Sequence, residues 1–521
     1  MDQVELIIVS LLVSVALLAA LARAINVPYP IVLVIGGALL GLVPGLPKAQ
    51  LDPGLVLLVF LPPLLYSGAF FANLRDLRTD LRPITLLAVG LVLATTGAVA
   101  VVAHLVIDDL PWAACFALGA IVGPTDVIAA TAIARRLGVP RRTVSVLEGE
   151  SLINDGTALV AYRIAVSAAV GGSFTVLTAG WDFLAGAAGG IAIGLAAGWL
   201  IAEIRRRIDD PLVENTISLL SGYAAYVPAE RVGASAVLAA VTVGCYMGWR
   251  APAIVSPGVR LQAFGMWELL IFLLNAFLFV LVGLQLPRIV HGLQSFAAAT
   301  VIGYAALVSA VVIVVRLVWQ HTIVFVIRAL DRRPQQRERR STWRVRTVVG
   351  WAGMRGAVSL AAALALPSDF PQRDLIVFLT FAVIFATLVL QGLTLPPLIR
   401  LLGVTDDDTE SREELKARLV ATKAALARIE ELAGEDWTRD ETVERMRGAY
   451  NYRKHRLAAR AGKAEDDGYE DRSIAYQTMV REVLEAQRRE IVRLRNQGTI
   501  SNDVMHRIER ELDLEDQRLE I

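Results

Sequence analysis

Five oxygen-bearing side chains lie within eight residues in a long apolar part of the chain. Residues 147–160 read LEGESLINDGTALV, and the five are Glu148, Glu150, Ser151, Asn154 and Asp155. On a helix, Glu148, Ser151 and Asp155 share one stripe, and Glu150 and Asn154 share the neighbouring stripe. Small hard cations prefer oxygen ligands of this kind. The spacing therefore predicts a cation site on this helix, centred on Asp155.

A second polar position lies in the preceding apolar segment, IVGPTDVIAATAIARR. Pro124 lacks an N–H group and clashes with the preceding turn, so it predicts an interruption of the helix. Inside a membrane, a break is tolerated only within protein or around a polar cavity. Thr125 and Asp126 lie at the break, where Asp126 can neutralise the positive end of a half-helix. A capped proline kink is the structural alternative, but a kink alone does not require a carboxylate.

A third polar position, VVGWAGMRGAVSLAAALALP, combines three glycines with one arginine. Gly350, Gly353 and Gly356 predict a second interrupted helix. Arg355 is expected to offset a half-helix end or to pair with a buried carboxylate, and Glu150 is the best available partner. We therefore predict a Glu150–Arg355 pair. Two interrupted helices in corresponding positions indicate a binding site between inverted repeats.

Membrane-spanning helices must carry these positions. Of the 521 residues, 55% are hydrophobic, and the mean hydropathy is +0.54. The first 404 residues contain 29 basic and 22 acidic side chains, whereas the remainder contains 22 basic and 28 acidic ones. This division predicts a transmembrane domain over residues 1–402 and a charged, cytoplasmic α-helical domain over residues 403–521.

A bilayer core needs about 20 apolar residues in a helix, and on that basis the sequence predicts thirteen spans. They lie near residues 4–22, 29–46, 54–72, 83–106, 112–134, 143–170, 178–203, 212–227, 232–249, 264–286, 296–328, 346–366 and 374–401. Arginines concentrate in alternate loops, which places the N-terminus outside and the C-terminus in the cytoplasm of a plasma-membrane protein. The two interrupted helices are spans 5 and 12. They fit two inverted six-helix repeats, spans 1–6 and 8–13, with span 7 as the connector.

The remaining composition excludes several other classes of protein. The two cysteines, Cys115 and Cys245, lie in apolar segments and indicate neither a disulfide framework nor a metal site. No basic, aromatic-interleaved patch indicates nucleic-acid binding, and no cofactor is expected. A cation channel would typically show a filter motif such as TVGYG, which is missing from this sequence. Ser151 lacks a suitable histidine base, which argues against an enzyme.

The motifs GPTD, ESLINDGT and GMRGAVSLA occur in this order, together with FLPPLLYSGAF and WELLIFLLNAFLFVLVGLQLP. In this combination, roughly residues 1–402 resemble the NhaP-type monovalent cation:proton antiporters, a family that includes the sodium/hydrogen exchangers. The resemblance implies a thirteen-span fold with two inverted repeats, a homodimer in the lipid membrane, and exchange of Na⁺, Li⁺ or K⁺ for H⁺.

The resemblance also implies roles for individual residues. Asp155 matches the essential ion-binding carboxylate of an Asn-Asp pair. Thr125 and Ser151 match ion-coordinating positions, and Asp126 matches the aspartate at the crossing of the broken helices. Glu150 and Arg355 match a pair that braces the core in the family. One departure is Ser67, which stands where many members have an acidic residue, and it leaves the ion preference open.

The expected mechanism follows from a single accessible carboxylate. Burial makes a bare charge costly, so such a carboxylate crosses with either a proton or a cation bound. Because Asn154 stands beside Asp155 in place of a second aspartate, exchange is expected to be one for one and electroneutral. Sodium exchange, serving pH and sodium homeostasis, is the first expectation, and potassium/proton exchange on the same fold is the alternative.

Span 7 contains four glycines at strict four-residue spacing: Gly186, Gly190, Gly194 and Gly198. On a helix they form a groove that lets another helix approach closely. The groove can face a span of the same chain or a partner protomer. The dimeric habit of the family favours a groove at or next to the dimer interface.

Overall fold

The computed structural model describes residues 3–25, 27–43, 53–170, 176–293, 296–330, 341–404, 409–460 and 469–519. Within these ranges the chain is helical, with short connections and no β-strand. It divides into two compact units, Met1–Thr405 and Asp406–Ile521. The all-α fold class is as predicted. The predicted domain boundary lies three residues earlier, and the roles of the two domains stay predictions.

The helices of the N-terminal unit are α1 (Gln3–Ala24), α2 (Tyr29–Gly41), α3 (Pro53–Phe71), α4 (Leu74–Thr79), α5 (Leu81–Val106), α6 (Trp112–Val122), α7 (Ile128–Arg136), α8 (Arg141–Val170), α9 (Val176–Arg205), α10 (Pro211–Arg231), α11 (Ala236–Ile254), α12 (Pro257–Leu284), α13 (Leu286–His291), α14 (Ala298–Leu330), α15 (Trp343–Trp351), α16 (Ala357–Leu364) and α17 (Arg373–Leu402). Those of the C-terminal unit are α18 (Thr409–Leu432), α19 (Asp440–Arg460), α20 (Tyr469–Asn496) and α21 (Asn502–Leu519).

Six helices among the described residues are long and apolar enough to cross a membrane. They are α5, the Leu184–Arg205 part of α9, α11, α12, the Ala298–Ile327 part of α14, and α17. Shorter apolar helices, among them α2 and α6, lie beside them. These lengths match the thickness of a bilayer core. The number thirteen and the inverted repeats stay predictions.

Two apolar cores hold the N-terminal unit together. The larger core surrounds the broken helices and includes Leu118, Ile121 and Ile384, all almost fully buried. The smaller core joins α3, α10, α11 and α12 around Tyr66, Val243 and Trp267. The candidate site lies in the larger core, where several separate elements fix each of its helices.

The glycine groove of α9 is filled by α11 of the same chain. A methyl group built on Gly194 would lie 2.6 Å from the carbonyl oxygen of Ala239. One on Gly198 would lie 2.9 Å from the ring of Tyr246. The groove is therefore used within the chain, which was the intramolecular alternative, and a dimer interface next to it stays a prediction. The small residues do permit close approach, as expected, but the helix that uses it is an intramolecular neighbour.

The C-terminal unit has its own small core. Leu484 and Ile491 of α20 pack against Met505 and Leu512 of α21. Between α18 and α19, Arg447 donates two hydrogen bonds to the Glu430 carboxylate, each 2.7 Å long. These bonds hold the pKa of the exposed Glu430 carboxyl below its usual value. The unit thus combines short apolar seams with exposed ion pairs, as the charged sequence predicts.

Candidate ion site at the crossed helix breaks

The two predicted interruptions are present, and they contact each other. Helix α6 ends at Val122 and α7 begins at Ile128, whereas α15 ends at Trp351 and α16 begins at Ala357. The backbone N–H of Asp126 donates to the carbonyl oxygen of Met354 over 2.8 Å. This bond gives a partner to two of the backbone groups that the breaks expose. The non-helical segments therefore form one unit at the centre of the larger core.

Arginine side chains cap the carbonyl ends of the broken helices. The Arg355 Nε donates to the carbonyl oxygen of Val122, at the end of α6, over 3.1 Å, and its Nη1 donates to the Gly353 carbonyl. The Arg316 Nε donates to the carbonyl oxygen of Val349, in the last turn of α15, over 3.3 Å. The C-terminal end of a helix carries partial negative charge, so a buried cation is favourable at both places.

The opposite charge lies at the beginning of α16. A methyl group built on Gly356, the residue that precedes α16, would collide with the Asp126 carboxylate. That carboxylate therefore lies directly against the positive end of the half-helix. A side chain at position 356 would force the Asp126 carboxylate to move away from this place.

Glu150 is paired with Arg316, and the predicted direct pairing with Arg355 is wrong. The Arg316 Nη2 donates to the Glu150 Oε2 over 2.9 Å, and Nη1 donates to Oε1. Both side chains are almost completely buried, at 0% and 1% exposure. Arg355 lies near enough for its charge to interact with that of Glu150, but its hydrogen bonds go to helix ends. The sequence signal for Arg316 was a lone arginine within the long apolar run of α14.

Thr125 and Asn154 extend this polar cluster. The Thr125 hydroxyl donates to Glu150 Oε1 over 3.0 Å. The Asn154 amide donates to the same hydroxyl over 3.0 Å and to the Thr125 carbonyl oxygen over 3.2 Å. Asn154 thereby fixes the unwound backbone, and its own Oδ1 is buried without a partner among the described residues. The Thr125 hydroxyl is thus already engaged with protein groups.

Asp155 lines a small cavity of about 10 Å³. The cavity lies between α6, α8 and α16, and its lining consists of Ala120, Ile121, Pro124, Asp155, Ala158, Leu159, Tyr162, Val358, Ser359 and Ala362. Asp126 lies near enough for its charge to interact with that of Asp155. Ser151, one turn earlier on α8, is not part of the lining. The structure thus gathers Asp155 with Ser359 and Tyr162, two residues that the sequence pattern did not single out.

Ser67 stands where the sequence analysis expected an acidic residue in many similar proteins. Its side chain is 2% exposed, and its hydroxyl donates to the Leu64 carbonyl oxygen over 3.0 Å. Its hydrogen-bonding proton is therefore used within its own helix. Among the described residues, no group of three or more His, Cys, Asp or Glu side chains is arranged to hold a metal ion.

Comparison with known proteins identifies the family. The family model for the transmembrane part of sodium/hydrogen exchangers matches residues 10–401. An uncharacterized Na⁺/H⁺ exchanger of Mycobacterium tuberculosis is 35% identical, covering 98% of this chain and 96% of that protein. The Na⁺/H⁺ antiporter ApNhaP of Aphanothece halophytica is 34% identical, over 81% of this chain and 79% of its own.

Two further proteins add to this comparison. A sodium, potassium, lithium and rubidium/H⁺ antiporter of Bacillus pumilus is 32% identical, over 75% of this chain and 61% of its own. The solved sodium proton antiporter MjNhaP1 of Methanocaldococcus jannaschii superposes with a TM-score of 0.56 at 19% identity, over 77% of this chain and all of that one. This structural likeness confirms the fold alone. The crossed breaks, the carboxylates around them and the family match together show that this chain is a membrane-spanning member of the sodium/hydrogen exchanger family, whose function is cation/proton antiport.

Proposed function

We propose that this protein exchanges Na⁺ for H⁺ across the plasma membrane, one for one, with Asp155 as the carboxylate that binds each in turn. The observation that carries the proposal is the difference between the three carboxylates at the crossing. Glu150 is neutralised by Arg316, and Asp126 lies against the positive end of α16. Asp155, beside the cavity, has neither an ion pair nor a hydrogen bond with any residue that the structure describes.

The chemistry of exchange follows from that position. A buried carboxylate without a neutralising partner is costly in its bare charged form. It therefore changes sides of the membrane with either a proton or a cation bound. Because the proton and the cation use the same oxygens, only one can be present, and their movements are coupled.

The stoichiometry follows from Asn154. Its amide is committed to Thr125 and does not titrate, so it adds no proton to the cycle. One Na⁺ for one H⁺ moves no net charge. We further propose that Thr125, Ser151, Asn154 and Asp126 shape the site around Asp155, either as oxygen ligands or by fixing the backbone at the break.

Potassium is the second candidate cation. The Bacillus pumilus relative is named for sodium, potassium, lithium and rubidium, and it is 32% identical to this chain over 411 aligned residues. Ser67 supports the same alternative, since it provides no charge where an acidic residue would add one. Li⁺ is included in the proposal, because it requires the same hard oxygen ligands.

We also propose the setting of this activity. The arginine-rich loops favour an N-terminus outside and a cytoplasmic C-terminal unit. The family resemblance favours a homodimer within the lipid membrane. The interface between the protomers is not the glycine groove of α9, because α11 of the same chain occupies that groove.

The test is exchange by purified protein in sealed lipid vesicles. A proton gradient is imposed, and Na⁺, K⁺ and Li⁺ are added separately while a pH dye reports proton movement. Asp155→Asn is expected to abolish the exchange while the protein stays folded and monodisperse. Asp374→Asn removes a carboxylate that is 60% exposed at the start of α17, and it serves as the matched control. Cation-dependent proton movement in the Asp155→Asn vesicles would overturn the proposal.

A further inference from the structure

A stripe of three polar side chains on α17 lies along the second break. Thr387, Gln391 and Thr394 follow one another at spacings of four and three residues, so they share one face of the helix. The Thr387 hydroxyl oxygen accepts from the backbone N–H of Arg355 over 3.1 Å. The Thr394 hydroxyl oxygen accepts from the Trp351 indole N–H over 2.8 Å. Gln391 therefore lies beside the break, between two residues that are bonded to its opposite ends.

Gln391 differs from the two threonines because its amide has no partner. The side chain is 0% exposed, and neither Nε2 nor Oε1 has a hydrogen bond among the residues that the structure describes. A methyl group built on the next residue, Gly392, would lie 3.7 Å from the Met354 sulfur, so the non-helical segment is close on this side. Most buried polar groups are bonded, and an unpaired one destabilises the arrangement that contains it. The Gln391 amide therefore destabilises the state seen here.

The backbone at Gln391 is also irregular. Residues Thr387–Gln391 form a π-helical turn within α17. Such turns are rare, and they occur frequently at functional sites. The preceding part of α17 packs against α6 and α16, two of the helices that line the cavity beside Asp155. Gln391 thus belongs to a helix that contacts both the second break and the elements of the candidate ion site.

We propose that Gln391 is a positioning residue that bonds the second break in the alternate state of the exchange cycle and has no partner in the state seen here. The inference rests on the proposed function, in which Asp155 faces each side of the membrane in turn. A glutamine amide has donors and an acceptor, and the end of a broken helix leaves backbone groups of both kinds without a helical partner. A side chain that is bonded in only one of two states shifts their populations towards that state.

The experiment compares Gln391→Met with the native protein in stability and in exchange. Methionine keeps nearly the same volume and removes both polar groups. The melting temperature of the purified protein is expected to rise by about 2 °C, because the state seen here no longer contains an unpaired amide. In the vesicle assay, the maximal rate of Na⁺/H⁺ exchange is expected to fall about tenfold, since the alternate state loses its bonds to Gln391. The apparent KM for Na⁺ is not expected to rise, because no group that contacts the cation is removed.

The matched control is the same substitution at a buried glutamine away from the crossing. Gln285 follows the last residue of α12 and is 7% exposed. Gln285→Met is expected to leave the maximal rate of exchange at its native value. If Gln391→Met does not fold, Gln391→Leu replaces it, since leucine also removes both polar groups.

The outcomes separate this inference from the function on which it rests. A lower melting temperature, or failure of both variants to fold, would show that the amide is already bonded in the state seen here, to a buried water molecule or to the protein, and would overturn the inference. A native maximal rate would overturn it as well, and a raised KM with a native rate would make Gln391 a contact of the cation instead. Exchange that survives Asp155→Asn would overturn the proposed function itself.

Discussion

The ion pair between Glu150 and Arg316 is expected to be a large single contribution to the stability of the membrane unit. The Glu150 carboxylate accepts hydrogen bonds from two nitrogens of Arg316 and from the Thr125 hydroxyl. Glu150→Gln leaves the guanidinium, which is 0% exposed, without a counterion, because the Val349 carbonyl that also accepts from it is neutral. An uncompensated buried charge costs about 3–5 kcal/mol. Arg316→Met instead leaves the Glu150 carboxylate without its counterion, and a loss in the free energy of unfolding of the same order is expected.

The double variant separates the ion pair from other effects of substitution. Glu150→Gln with Arg316→Met removes both charges, so neither remains without its counterion. The loss in free energy of unfolding is expected to be smaller than the sum of the two single losses by about 2 kcal/mol. The measurement is reversible unfolding in mixed micelles with increasing SDS. Losses that add to within about 0.5 kcal/mol would refute the reasoning.

A second buried pair provides the matched control. Arg205 and Glu214 lie in the smaller core, both 2% exposed, with an N–O distance of 3.1 Å. Glu214→Gln is expected to destabilise the protein by a comparable amount, about 3–5 kcal/mol. Because this pair lies away from the crossed breaks, the folded fraction is expected to keep the native KM for Na⁺. Glu150→Gln is expected to lower stability and exchange together.

Three further predictions concern the crossing, the α9 groove and the movement of charge. Gly356→Ala is expected to reduce both thermal stability and exchange in vesicles, since the new methyl group displaces the Asp126 carboxylate from the start of α16. Native values for both would show that neither stability nor exchange depends on this position of the carboxylate. Gly194→Leu is expected to lower the melting temperature while native mass spectrometry still finds the same oligomer, because the residue presses on Ala239 of the same chain; loss of the oligomer in a well-folded monomer would contradict this. Exchange through Asp155 is expected to produce no current on solid-supported membranes, and a current that scales with turnover would exclude one-for-one stoichiometry.

The broken helices could be predicted from the sequence because their causes are local. Pro124 lacks an N–H group, and the glycines around Arg355 leave the backbone free to unwind. The position of Asp126 at the first break follows from the same local reasoning, whereas its contact with the start of α16 joins two distant segments and does not. The cation-binding role of Asp155 and its neighbours on α8 stays a prediction, although the structure places Asp155 beside a cavity.

The partners of these residues could not be predicted in the same way. Glu150 and Arg316 are 166 residues apart in the chain, and two buried arginines were available to one buried glutamate. Charge alone does not distinguish Arg316 from Arg355, and only the packing of α14 against α15 decides between them. Ser359 was not singled out for a related reason. A serine in an alanine-rich helix gives no sequence signal of a site, and only the folded chain brings Ser359 to the same cavity as Asp155.

The groove of α9 illustrates a limit of small-residue patterns. Four glycines at four-residue spacing predict that another helix packs closely against this one. They do not indicate whether that helix belongs to the same chain or to another. Here α11, which begins 31 residues after the end of α9 with α10 between them, occupies the groove. A neighbour that is close in sequence reaches such a groove at little cost in chain entropy. A second protomer would first have to find the groove by association.

The 166 residues that separate Glu150 from Arg316 also have a consequence for biosynthesis. A ribosome adds about 5–20 residues per second, so the arginine is synthesised roughly 10–30 s after the glutamate. During that interval, α8 reaches the membrane with a carboxylate whose counterion has not been made. The nascent helix must keep that group protonated or in contact with water, at the translocon or at the membrane surface. A chain that stops before Arg316 never gains the counterion of Glu150. When translation ends early, the first half of the membrane unit is therefore expected to be a target for membrane proteases.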